Sequence, residues 1–132
     1  MVLNPAASDG LIFLRKLSMQ LASKMRFVSA QLLALLTDDL WLRSAGHANE
    51  MAAHLRAALE DAAPAGLSFS QPTQANAVFA VLDNAVSDRI RDRVRYYDWD
   101  RARGEVRWMT SFDTTEADVD AFVAVILEEL AR

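Results

Sequence analysis

EVRWMTSFDTTEADVDAF, residues 105–122, carries a strand, a turn and the start of a helix. Val106, Trp108 and Thr110 alternate with Arg107, Met109 and Ser111, so a period of two sends Arg107 to the face opposite Trp108. Thr115 stands three residues before Asp118, the spacing of a capping box with Asp in place of Glu or Gln. Glu116, Asp118 and Asp120 suit the positive end of a helix dipole. Beyond them Val119, Phe122, Val123, Ile126 and Leu130 fall on one helical face. Arg107 has two readings at this point. It is a surface or salt-bridged strand residue, or an anion-binding arginine whose planar guanidinium grips a carboxylate through two N–H groups.

Working back from this stretch, Arg103-Gly104 marks a turn and YYDW (96–99) a strand. SDRIRDRVR (87–95) reads as a short helix with Val86, Ile90 and Val94 inward. In NAVFAVLD (76–83), Ala77, Phe79 and Val81 alternate against Val78, Ala80 and Leu82. LSFS (67–70) is a further strand, which Pro72 limits to an edge or a short piece. A helix from about Leu40 to Ala62 follows the capping residues Thr37-Asp38-Asp39, with Trp41, Ala45, Ala48, Ala52, Leu55 and Leu59 as its apolar stripe; Pro64 and Gly66 end it. Leu14, Leu17, Leu21, Met25, Val28, Leu32 and Leu35 keep helical steps without Pro or Gly, so a helix is expected over Leu11–Leu36. It would be about 39 Å long, and is expected to bend or to run across a domain boundary. Residues 1–9 read as a loop. The fold class expected is α+β: a small, mostly antiparallel sheet of about four strands covered by helices and preceded by a long linking helix. The division expected is a loop and linking helix over 1–36 and a small α+β domain over 37–132.

The 132 residues suit a single domain. At 52% apolar the chain is slightly richer in hydrophobics than typical soluble domains, which hints at a missing neighbour. A net charge of −4 argues against nucleic-acid binding by general electrostatics. Cysteine is absent, which removes disulfides and thiolate metal sites. No signal peptide and no membrane-spanning run is read, and a cytoplasmic location is the default expectation.

His47, Glu50 and His54 share a face of the second helix, but the histidines are about 10.5 Å apart along its axis, too far for one metal. A solvated face is the expectation there. DRIRDRVRYYDWDRAR (88–103) mixes six Arg with four Asp, so an exposed ion-pair network is expected in preference to RNA binding. Lys24 and Gln31 share a face of the first helix while Arg26 points elsewhere. Ordinary surface polarity with snorkelled stems is one reading of the three, and a functional polar group is the other.

RKLSMQLASKMRFVSAQ (15–31), DDLWLRSAGHANEMAAHL (38–55), QANAVFAVL (74–82), YYDW (96–99) and residues 105–122 together resemble the C-terminal part of the threonine aldolase family, over about Val2 to Leu130. These are pyridoxal-phosphate enzymes of the β-eliminating lyase group. The resemblance implies the small C-terminal domain of a fold-type-I enzyme, of the aspartate-aminotransferase type. The family cleaves L-threonine or L-allo-threonine to glycine and acetaldehyde. By position, Arg107 matches the arginine that holds the substrate carboxylate, and Arg26 one near the cofactor, with Lys24 beside it. The cofactor-bearing lysine of the family lies in a Thr-Lys-Asn-Gly-like turn upstream of this chain's first residue. The resemblance therefore implies no catalytic residue here, no pyridoxal 5′-phosphate bound to this chain alone, and inactivity without the large cofactor-binding domain. Expected partners are that large domain and further copies of the chain, joined through the long helix. The alternative is a non-catalytic dimerising module derived from such an enzyme.

Overall fold

The computed structural model describes Ala6, residues 8–20 and residues 22–132. It comprises two compact units, Met1–Leu40 and Trp41–Arg132.

In the first unit, α1 spans Leu11–Leu17 and α2 Met25–Leu36. The single helix expected over 11–36 is therefore two. Met19 ends α1 in the left-handed region at φ 57°, with its N–H on Lys16 O at 3.2 Å and the Gln20 N–H on Arg15 O at 2.9 Å. This pair of bonds is a Schellman stop, a role that Gly or Asn normally takes. Met in that position gives no warning in the sequence. Leu21, counted in the apolar stripe, and residues 1–5 and 7 of the expected loop lie outside the described residues. A short 3₁₀ turn at Thr37–Asp39, with Asp38 at φ 50°, separates α2 from α3 (Leu40–Ala62). Asp tolerates that backbone because its short polar side chain can bond locally.

In the second unit, α3 leads to β1 (Ser68–Phe69), β2 (Ala77–Val81), α4 (Asn84–Arg93), β3 (Tyr97–Asp100), β4 (Glu105–Met109) and α5 (Glu116–Leu130). The four strands pair antiparallel in the order β1-β2-β4-β3. This is the expected α+β class. Period-two alternation holds through both central strands: Val78, Ala80 and Leu82 are buried from β2 and its end, Val106 and Trp108 from β4. They meet Ala52, Leu55 and Leu59 of α3, Ile90 of α4, and Val119, Val123 and Ile126 of α5. Trp41 and Ala45, expected on the α3 stripe, are exposed, and Met51 is buried in the core.

The turn into β4 needs glycine. Gly104 sits at φ 66°, and a Cβ there would meet Leu82 O at 2.5 Å. The same approach lets the Leu82 N–H reach Gly104 O at 3.1 Å.

The capping box at α5 forms as read: the Asp118 N–H meets Thr115 Oγ1 at 3.2 Å and the Thr115 N–H meets the Asp118 carboxylate at 2.9 Å. The Thr115 hydroxyl, then its backbone N–H, hold the Asp118 carboxyl below its usual range. Arg101 does the same for Asp88, and Arg93 for Glu128. Each group favours the deprotonated state when folded, so its contribution is present above the unfolded value and fades as pH falls through the lower folded one. The expected result is a thermal midpoint that drops on acidification below about pH 4. Asp118→Asn is expected to lower the midpoint at pH 7 and to flatten part of that acid limb, as measured by circular dichroism.

Candidate functional site

The end of β4 stands over a cleft of about 360 Å³, formed within the second unit. Its apolar wall is an aromatic cluster. Trp108 meets Phe122 edge-on at 5.3 Å between ring centres, and Tyr96 meets Trp108 at 6.0 Å and Phe122 at 6.3 Å, both in edge-type contacts. Leu55 of α3 adds to that wall. The Tyr96 hydroxyl donates to Ser87 O at 2.8 Å, and burial pushes its pKa up against the opposing pull of Ser87 and Arg91.

Two cations, Arg95 and Arg107, line the same cleft. Arg107 faces away from the core, as the alternation requires, and its cross-strand neighbours are Phe79 on β2 and Tyr97 on β3. Among the described residues, no carboxylate lies within ion-pair distance of either arginine. Several other arginines of the unit are committed. Arg89, Arg93 and Arg132 reach the Glu129 carboxylate at 3.1, 3.2 and 3.1 Å. Arg101 holds Asp88 at 2.8 Å, and Arg91 pairs with Asp98. The ion-pair network expected across 88–103 is thus present; Arg95, Arg103 and Arg107 stand outside it, and of these Arg95 and Arg107 line the cleft. Of the surface or salt-bridged reading of Arg107, the salt bridge is absent among the described residues, and the residue is half-buried.

The mouth of the cleft is fixed by the polar atoms of Thr110. Its Oγ1 donates to Ala48 O on α3 at 2.6 Å, and Asn76 Nδ2 donates to its carbonyl at 2.8 Å. These bonds tie the end of β4 to the α3 helix and to the start of β2, which keeps Arg107 on a rigid element. His47 belongs to the same framework: its Nε2 meets Thr114 O at 2.7 Å, while His54 Nε2 meets Asp120 Oδ1 at 2.9 Å. The face expected to be solvated instead joins α3 to α5 and the loop before it. No group of three or more His, Asp and Glu among the described residues is arranged to hold a metal.

Lys24, the residue preceding α2, and Arg26, in its first turn, are exposed in the first unit. The cleft lining comes wholly from the second unit, so neither residue is part of it. Arg95 is a site residue that sequence reading missed, absorbed into a run of balanced charges. Its position two residues before Tyr97, the cross-strand partner of Arg107, was the available signal.

This architecture also occurs in a solved structure. The chain superposes on a Leishmania major threonine aldolase with a TM-score of 0.63 and 28% identity, covering 74% of this chain and 28% of that one. It is 41% identical over 108 residues to a low specificity L-threonine aldolase from a Pseudomonas species, covering 81% of this chain and 30% of the relative. With the Pseudomonas aeruginosa protein of the same name it shares 42% over 96 residues, 72% of this chain and 27% of that one. No protein-family model matches. The chain belongs to the threonine aldolase family, as a partial, C-terminal-like piece spanning about 30% of the length of the curated relatives it matches. No helix among the described residues is long and apolar enough to cross a membrane.

Proposed function

We propose that this chain is the small-domain part of a threonine aldolase-type lyase and that Arg107 holds the substrate carboxylate. The observation that carries this reading is Arg107 itself: it lines the cleft from a central strand and has no acid partner among the described residues. A guanidinium with its donors uncommitted suits a bidentate grip on a carboxylate, which fixes the α-carbon of an amino acid relative to the strand. Residues 1–36 would serve as loop and linker and residues 37–132 as the small domain.

The reading implies pyridoxal 5′-phosphate in the complete enzyme. Lys24 and Arg26, exposed cations at the start of α2, fit the phosphate end of that group by charge and donor type. When bound, the cofactor supplies the electron sink for cleavage of the Cα–Cβ bond of threonine. What this chain contributes is binding and orientation. The lysine that carries the cofactor, and the groups around its ring, would come from a large domain on the portion of the relatives this chain does not span.

Mixing this chain with a polypeptide bearing that large domain is the test. Cofactor absorbance and release of acetaldehyde from threonine are expected in the mixture and in neither part alone. No gain on mixing overturns the proposal. A second reading, a non-catalytic dimerising module, draws on the first unit, where Leu17, Leu33 and Leu36 are 81%, 69% and 67% exposed. It calls for self-association that the cofactor leaves unchanged, which sedimentation reads in the same samples.

A further inference from the structure

We propose that Trp99 is a positioning residue, whose ring restrains the Arg107 guanidinium while leaving its N–H donors and its charge for an anionic ligand. The inference rests on the reading of Arg107 as a carboxylate clamp and says how that clamp is kept ready.

Other arginines of the unit show the alternative. An acid partner orients a guanidinium, as Asp88 does for Arg101 and Glu129 for Arg89, Arg93 and Arg132. It does so by occupying N–H donors and cancelling the charge, which leaves less of both for a ligand. An aromatic face restrains a cation differently. Its attraction comes from the ring quadrupole, and it takes up none of the donors that project from the guanidinium edge. The Arg107 guanidinium carbon lies 4.8 Å from the centre of the Trp99 ring.

The backbone is built to bring Trp99 there. On β3, Asp98 faces Val106 and Asp100 faces Glu105, so Trp99 is the extra residue of a β-bulge. Bulges re-aim a side chain relative to a regular strand. Phe79, directly across the sheet from Arg107, meets the Trp99 ring edge-on at 5.3 Å and 79°. The indole is thus braced from one side and presents itself to the guanidinium. Trp99 does not line the cleft, whereas Arg107 does, so its effect on a ligand there runs through Arg107. Orienting the arginine before binding removes part of the ordering cost that the ligand would otherwise bear. At 54% exposure Trp99 has little core role to confuse with this one.

The experiment titrates the full chain with acetate and follows the Arg107 Nε–Hε NMR signal, both its shift and its mobility. Trp99→Ala is expected to weaken acetate binding about 2- to 5-fold, the scale of an exposed cation–π contact, and to make the Arg107 Nε–Hε more mobile. Trp99→Phe, which keeps a ring, is expected to fall between the two. Trp99→Glu supplies an acid partner, so it is expected to restrain Arg107 and yet bind acetate least. Wild-type affinity and wild-type Arg107 mobility in Trp99→Ala overturn the proposal. If Arg107→Gln binds acetate as well as the wild type, the clamp reading fails instead. The mobility of Arg107 in the Trp99 variants still decides whether the ring positions it.

Discussion

Replacing Arg107 with alanine, in an assembly of this chain with a large-domain polypeptide, is expected to lower kcat/KM for threonine cleavage by about 30- to 1,000-fold. That corresponds to about 2–4 kcal/mol, the range for losing one partner of a buried charged hydrogen-bonded pair. The size follows from the geometry. A carboxylate with two N–H bonds to one guanidinium loses both when the side chain is truncated, which leaves Arg95 as the remaining cation lining the cleft. Arg107→Lys keeps the charge but loses the planar fork, so it is expected to recover only part of the loss. The fold is expected to tolerate both changes, because Arg107 makes no ion pair among the described residues and points away from the core. Circular dichroism with steady-state kinetics separates the two effects; an unchanged kcat/KM in Arg107→Ala removes the carboxylate role.

Trp108→Ala is the opposite kind of change, expected to act on stability. Trp108 neighbours Arg107 on β4 but lies 2% exposed beneath the sheet, between Tyr96 and Phe122. Truncating a buried tryptophan to alanine costs about 3–5 kcal/mol through lost burial and the cavity left behind. Against a total of about 5–15 kcal/mol for a domain, that is a large fraction. The thermal midpoint is expected to fall by more than about 10 °C, as a domain of this size shifts by about 4–8 °C per kcal/mol. A small shift would mean that the aromatic cluster contributes little to the core. Two adjacent residues on one strand thus face opposite ways, one proposed as the clamp and one packed in the core.

The sequence reading was strongest where one period and one cap spoke together. In residues 105–122 alternation placed Arg107 and Trp108 on opposite faces, and Thr115–Asp118 marked where α5 begins; both are as found. Periodicity failed at Met19 because it reports which face is apolar and not whether the backbone continues. The stop there depends on two backbone hydrogen bonds that no residue type announces. The cleft was legible only in part. Arg107 stood out as a lone cation on a strand. Arg95 did not, because its lack of an acid partner is a fact of three-dimensional placement among six arginines. Glu129 was hidden in the same way: on a helical wheel it is one more acid near a C-terminus, yet it is 1% exposed and draws three guanidinium groups around it. His47 and His54 read as a polar face because their partners, Thr114 O and Asp120, lie more than sixty residues away.

The strand order β1-β2-β4-β3 has a consequence for how the chain is made. The central strand β4 is the last to be synthesised, 28 residues after β2 ends at Val81 and only one helix before Arg132. At ribosomal speeds of about 5–20 residues per second, β2 waits on the order of seconds for its principal partner. Through that interval its long edge, which carries Val78 and Ala80, is open to any other strand in reach. Such an edge invites pairing between nascent chains, so yield on expression is expected to depend on synthesis rate and chaperone supply more than on the stability of the finished domain.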